Sequence, residues 1–343
     1  MKIALFNSAI PFVRGGSELL ADDLKSQLET RGYEVKLFRL PFIEDFEVGI
    51  FLNALSAQLL NFDDYDLLIS FKWPAYLAVH KCKNLWLFHQ LRQVYDLFGK
   101  SHGLENNDLG NAIKEMVVQV DTLALNDANK IFAISNSAKR LEKYNNIKAS
   151  VMHAPLLNSE KYHKTSYGDY FYCASRIDTM KRQILAVEAM RYTKSDVKLI
   201  LDGVCGDEAF LNDIYSIIND HKLNKKITIN ANFVPEETKI NRYANCLASI
   251  YLPVDEDSPG FVTFEAFYSH KTLITAADSG GVVDFVKNGE NSFVVEPSPQ
   301  AIAEKMDYLY EQKHIAKQMG KKAYEFIVEQ NVNWDDTIRR LLA

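Results

Sequence analysis

Two doubly wound α/β domains are the fold this sequence predicts, and three observations carry that expectation. The chain has 343 residues, too many for one ordinary domain and suited to two of about 150 to 180 residues each. In both halves short apolar runs alternate with helical periodicity, the pattern of parallel strands joined by crossover helices. Between the halves, residues 158–169 are polar and aperiodic before the alternation restarts at Tyr170.

Taken in order, the first-half strands fall at 3–7, 35–39, 67–70, 85–88, 131–135 and 151–152. Between the first two, Leu20, Leu24 and Leu28 recur at helical spacing, and Gly32 stands where a helix C-terminus takes glycine. In the second half the strands are expected at 170–174, 197–201, 227–229, 248–252, 272–276 and 293–295. Ser298 and Pro299 then open a helix as cap and first residue, and two further helical patterns run to Ala343. The expected domains are 1–160, 161–325 and a C-terminal helix over 326–343 that could pack back on the first domain. Two open parallel sheets would set their strand C-terminal ends facing a central cleft, where ligands of such sheets bind.

Composition narrows the function classes. A formal charge of −6 disfavours a dedicated nucleic-acid binder. Cys82, Cys173, Cys205 and Cys246 show no metal-ligand spacing and read as reduced thiols. Met1-Lys2 leads straight into the first apolar run, which is too short for a signal-peptide core, and no stretch reaches 18 apolar residues. A cytoplasmic protein is expected, with room for peripheral contact with the inner face of a membrane.

Three loops can carry chemistry. Arg14-Gly15-Gly16-Ser17-Glu18 opens the first helix, where Gly15 and Gly16 let backbone amides approach an anion; a plain tight turn would use the same residues. The spacing is not the dinucleotide fingerprint, which disfavours a nicotinamide cofactor. After strand 170–174, Arg176 and Lys181 could close on a diphosphate from one side, or be solvated surface charges. After strand 248–252, Asp257 lies in a loop and Glu265 in the next helix, so the two carboxylates suit the hydroxyls of a sugar and of a ribose. Gly260, Phe261 and Val262 would offer helix N-terminal amides to the phosphates between them. A capped helix carrying two ordinary acids is the plainer account. Asp255-Glu256-Asp257 also spells an Asp-x-Asp metal pattern, which the flanking cations make redundant.

Together these loops resemble glycosyltransferase family 4, retaining enzymes of the GT-B fold. Gly15-Gly16-Ser17-Glu18 matches its Gly-Gly-x-Glu element, Arg176 and Lys181 its Arg-x4-Lys pair, and Asp257 and Glu265 its Glu-x7-Glu motif. Residues 197–203 resemble a strand ending in Gly-x-Gly; 227–234, with Phe233, resemble the nucleobase-reading segment; and 279–291 resemble a further Gly-Gly stretch. Asp257 in place of Glu, Ser258-Pro259 in place of Gly-Phe, and Arg182 where Gly usually follows the Lys depart from the pattern. The resemblance implies a nucleotide-diphosphate sugar as donor substrate, no cofactor and no metal, and a glycan, glycolipid or small-molecule acceptor. It also implies His89 as an active-site residue beside Arg176 and Lys181, with Arg92, Tyr95 and Asp96 on the acceptor side. Competing readings are a sugar-nucleotide epimerase or phosphorylase on the same fold, and a sugar-nucleotide-binding module without catalysis.

Overall fold

In the computed structural model residues 1–11, 15–43, 45, 48–100 and 103–343 are described. They form two compact units, Met1–Pro155 with Val332–Ala343, and Leu156–Asn331. The first contains β1 (Lys2–Ala9), α1 (Gly16–Glu29), β2 (Glu34–Pro41), α2 (Val48–Gln58), β3 (Leu67–Lys72), β4 (Lys83–His89), α3 (Asp108–Asn126), β5 (Lys130–Ala133), α4 (Ser135–Asn145) and β6 (Ser150–Val151). The second contains β7 (Tyr170–Ala174), α5 (Gln183–Ala189), β8 (Lys198–Asp202), α6 (Glu208–Asp220), β9 (Ile227–Asn230), α7 (Glu236–Asn245), β10 (Ala248–Ile250), α8 (Gly260–Tyr268), β11 (Leu273–Ala276), α9 (Gly281–Phe285), β12 (Ser292–Val295), α10 (Pro299–Glu311) and α11 (Lys313–Glu329). The closing helix, α12 (Trp334–Leu342), belongs to the first unit. There its Leu341 carbonyl accepts from Asn84 Nδ2 at 2.8 Å, and the Trp334 ring meets Trp86 edge-on.

Each unit is built on one six-stranded sheet whose recorded pairings are all parallel, in the orders β2-β1-β3-β4-β5-β6 and β12-β11-β10-β7-β8-β9. A parallel strand covered on both faces must be apolar throughout, and Ile3, Ala4, Leu5 and Phe6 of β1 are all fully buried. All twelve expected strands form, with small shifts at their ends. The expected strand 131–135 overruns, because Ser135 already starts α4. In α1, Leu20, Leu24 and Leu28 are buried as their spacing requires. By contrast α2 turns Val48, Phe51, Leu52 and Leu55 to solvent.

The buried stripe of α3 runs Ile113, Val117, Asp121, Leu125, so a carboxyl occupies an apolar position. Burial pushes the Asp121 carboxyl up to about 7, against hydrogen bonds from Tyr95 (2.6 Å) and Gln90 (3.4 Å) that favour its charged form. A raised carboxyl binds its proton more tightly in the folded chain. Its contribution to stability is therefore complete below the ordinary value of 3.8 and is lost as pH rises through about 7. Thermal melts at about pH 5 and about pH 8 should show Asp121→Asn losing less stability with rising pH than the parent. Identical slopes would remove Asp121 from that role.

Candidate active site

In the second sheet the chain runs from β7 outward through β8 to β9, then returns to β10 on the other side of β7 and continues to β11 and β12. Crossovers on the two sides diverge at the β7/β10 boundary, opening a crevice at the strand C-terminal ends. Three loops meet there. Val254 N–H donates to the Met180 carbonyl and Asp255 N–H to that of Asp278, both at 2.8 Å, while Gly281 N–H donates to Glu256 O at 2.6 Å. Gly280 is required for this approach: its φ is +63°, and a Cβ there would lie 2.5 Å from the Glu256 carbonyl oxygen.

Lys181 sits inside this cluster. Its Nζ pairs with the Glu256 carboxylate and donates to Tyr251 Oη at 3.2 Å, leaving the side chain 16% exposed. Burial alone would lower its pKa, but Tyr251 and Glu256 outweigh that and hold the ammonium above its ordinary value. Arg176 is placed differently, 53% exposed with Asp178 at 3.4 Å. The two cations thus share a loop but pair with different carboxylates. Arg182, standing where Gly was expected, keeps a left-handed backbone at φ +51°. Its guanidinium binds both oxygens of Asp278 (2.7 and 2.6 Å) and the carbonyls of Leu252 (2.8 Å) and Pro253 (3.0 Å), tying the same three loops together.

Asp257 and Glu265 are both buried. Glu265 Oε1 accepts from Lys239 Nζ of α7 and from Tyr162 Oη at 3.2 Å. Gly260, Phe261 and Val262 form the first turn of α8, but Gly260 N–H is committed to Ser258 Oγ at 3.2 Å and Val262 is buried. Phe233, past the end of β9, is 79% exposed. Sequence reasoning missed Glu256 as the partner of Lys181, and missed Tyr162, Lys239 and Tyr251. Among the described residues no group of three or more His, Cys, Asp or Glu side chains is arranged to hold a metal.

In the first unit the ends of β1, β3 and β4 carry Gly15-Gly16, Lys72 and His89. Lys72 and His89 are register partners across β3 and β4. Gly15 caps α1, and its N–H donates to Glu18 Oε2 at 2.9 Å; Lys72 Nζ meets Glu18 Oε1 at 2.7 Å and Ser17 Oγ at 2.8 Å. Burial would raise the Glu18 carboxyl, but Lys72, Ser17 and the Gly15 amide hold it below its usual range. The helix N-terminus is thereby satisfied by its own carboxylate, so the Gly15 amide is not open to a ligand in this state. Arg14 lies outside the described residues.

His89 Nδ1 lies 2.9 Å from the Gln90 carbonyl oxygen. A carbonyl only accepts, which puts the proton on Nδ1. Of the acceptor-side candidates, Tyr95 is a core residue, 2% exposed. Arg92 donates to Asp96 Oδ2 through Nε (3.0 Å) and Nη2 (2.6 Å), and Arg140 Nε lies 2.9 Å from the other oxygen. Despite burial, Arg140 and Arg92 hold the Asp96 carboxyl below its ordinary value.

The family described as glycosyl transferases group 1 matches residues 156–326, nearly all of the second unit. No curated protein matches the chain at a significant level. Among solved structures, sucrose-phosphate synthase from Thermosynechococcus elongatus superposes with a TM-score of 0.76 at 17% identity, covering 98% of this chain and 96% of that one. A glycosyltransferase from Rickettsia africae gives 0.71 at 21% identity, covering 99% and 97%. HepE of Anabaena, solved in complex with UDP-glucose, gives 0.68 at 16% identity, covering 98% and 100%. At these identities the superpositions establish the shared fold, GT-B, with its two parallel α/β sheets. The chain is a glycosyltransferase of the glycosyl transferases group 1 family.

Proposed function

We propose that the chain moves a sugar from a nucleotide-diphosphate donor to an acceptor hydroxyl with retention of configuration, the second unit taking the donor and the first the acceptor. One observation supports this most: a half-buried ammonium, Lys181, held at the switch point of an open parallel sheet. As the glycosidic bond breaks, its electron pair passes to the terminal phosphate oxygen of the departing diphosphate. The acceptor oxygen bonds the same face of the anomeric carbon, and its proton goes to that phosphate. Lys181 and Arg176 stabilise the growing charge. Glu265 takes the ribose hydroxyls, Asp257 those of the transferred sugar, and Gly260, Phe261 and Val262 lie along the diphosphate. Phe233 is an exposed aromatic suited to stacking on a base, and His89 is the catalytic candidate that the first unit supplies.

Because HepE was solved with UDP-glucose, that donor is the first to assay. A glycan or a lipid-linked molecule is the proposed acceptor, and the exposed apolar residues of α2 favour one with a lipid part. Among the described residues no helix is long and apolar enough to cross a membrane, so contact with a bilayer would be peripheral.

The test is to incubate purified protein with UDP-, GDP- and ADP-sugars and identify the released nucleotide and the sugar anomer. Slow release of a nucleoside diphosphate and retained anomer is expected, with EDTA leaving the rate unchanged. Complete loss on chelation, rescued by Mn²⁺, would move the site to a metal at Asp255 and Asp257. Conversion of the donor sugar without its release would mean epimerase chemistry, and binding without turnover a non-catalytic module.

A further inference from the structure

We infer that Lys239 and Tyr162 are positioning residues that orient Glu265 toward the ribose of the nucleotide, an inference that rests on the donor reading above. Glu265 projects from α8 with 6% of its side chain exposed, so its charge has little water to stabilise it. Two donors reach it, and both reach the same atom: Lys239 Nζ from α7, and the Tyr162 hydroxyl from the segment preceding β7. Oε1 has two lone pairs, and both are used. No further donor is bonded to Oε2 among the described residues, which makes Oε2 the oxygen left for a ligand hydroxyl.

The two donors differ in what they contribute. Burial first, and Glu265 itself second, push the Tyr162 phenol far above its ordinary value, so it stays protonated and can act as a donor. Its ring is backed by Tyr243, centroid to centroid 6.3 Å, and Tyr243 by Tyr172 at 4.8 Å. That aromatic wall fixes the direction from which the hydroxyl arrives. Lys239 supplies the counter-charge and is the more exposed member of its pair, at 29%. Held by one rigid and one charged donor, the carboxylate plane cannot turn without breaking a bond. A carboxylate fixed in this way is ready for a hydroxyl pair before the donor arrives, which lowers the ordering cost of binding.

The experiment compares nucleotides that differ only at the ribose. Calorimetry is run with UDP, GDP and ADP and with their 2′-deoxy counterparts on the parent protein, Lys239→Met, Lys239→Arg and Tyr162→Phe. For the nucleotide that binds, the parent should favour the ribo form by about tenfold, the size of one charge-assisted hydrogen bond. Lys239→Met should lose about tenfold for the ribo form while the deoxy form stays within about twofold, so the preference collapses. Lys239→Arg should retain most of it, and Tyr162→Phe should lose part. Unchanged deoxy binding also reports that the variant is folded. An equal loss for both forms, or none for either, overturns the positioning role while leaving the donor reading intact. A parent that binds no nucleotide overturns the donor reading and this inference together.

Discussion

Lys181→Ala is expected to lower turnover at saturating donor by on the order of 10²–10³-fold, the cost of removing one preorganised charge from a developing oxyanion. The ammonium is enclosed and stays protonated because Tyr251 and Glu256 outweigh its desolvation. Before a donor binds, Glu256 is the anion it stabilises. An incoming diphosphate competes with that carboxylate or shares the cation with it. The ground-state gain is then partly offset, whereas charge that grows as the glycosidic bond lengthens is met in full, so the effect falls on turnover. Removing Lys181 alone also leaves Glu256 beside the diphosphate. The double variant Lys181→Ala with Glu256→Gln should therefore recover donor affinity without recovering turnover. Arg176→Ala should cost less, because an arginine 53% exposed acts through solvent. Steady-state kinetics decide it. If Lys181→Ala raises only the donor KM, Lys181 is a binding residue and the charge argument fails.

The strands and the left-handed turns show how far local sequence reaches. Apolar runs such as Ile3 to Phe6 are legible because a strand covered on both faces has no polar alternative. The loop after β7 was legible through Arg176 and Lys181, but the partners of those cations were not. Lys181 meets Glu256 across 75 positions and Tyr162 meets Glu265 across 103, distances at which no periodicity operates. Tyr162 also lies in the polar stretch that reads only as a boundary. Arg182 looks like the loss of a needed glycine; the backbone stays left-handed there, and the side chain finds four oxygens to bind. Tyr95 fails in the opposite sense. Six residues from a rim histidine it reads as a rim residue, yet it follows a short 3₁₀ turn, Arg92–Val94, and turns inward to Asp121.

Gly260→Ala is the substitution in which backbone, packing and chemistry meet. The residue opens α8 at φ +73°, and a Cβ there would lie 2.8 Å from the Tyr251 ring and 2.9 Å from its hydroxyl oxygen. Left-handed backbone costs an L-residue about 1–2 kcal/mol. The overlap adds about 1–3 kcal/mol, because Tyr251 is 4% exposed and has nowhere to swing. A loss of about 2–5 kcal/mol is expected in all, lowering the melting temperature of a unit this size by about 5–15 °C. Tyr251 is also the hydroxyl that accepts from Lys181, at 3.2 Å. Displacing its ring loosens the ammonium, so turnover of the folded variant should fall by at least about tenfold at a temperature where both proteins remain native. Gly289→Ala is the matched control: its φ is +76°, but no atom lies within 4 Å of where a Cβ would stand. It should bear the backbone cost alone and keep full turnover. If the two variants lose activity equally, the link from Gly260 through Tyr251 to Lys181 is wrong and the loss is one of general stability.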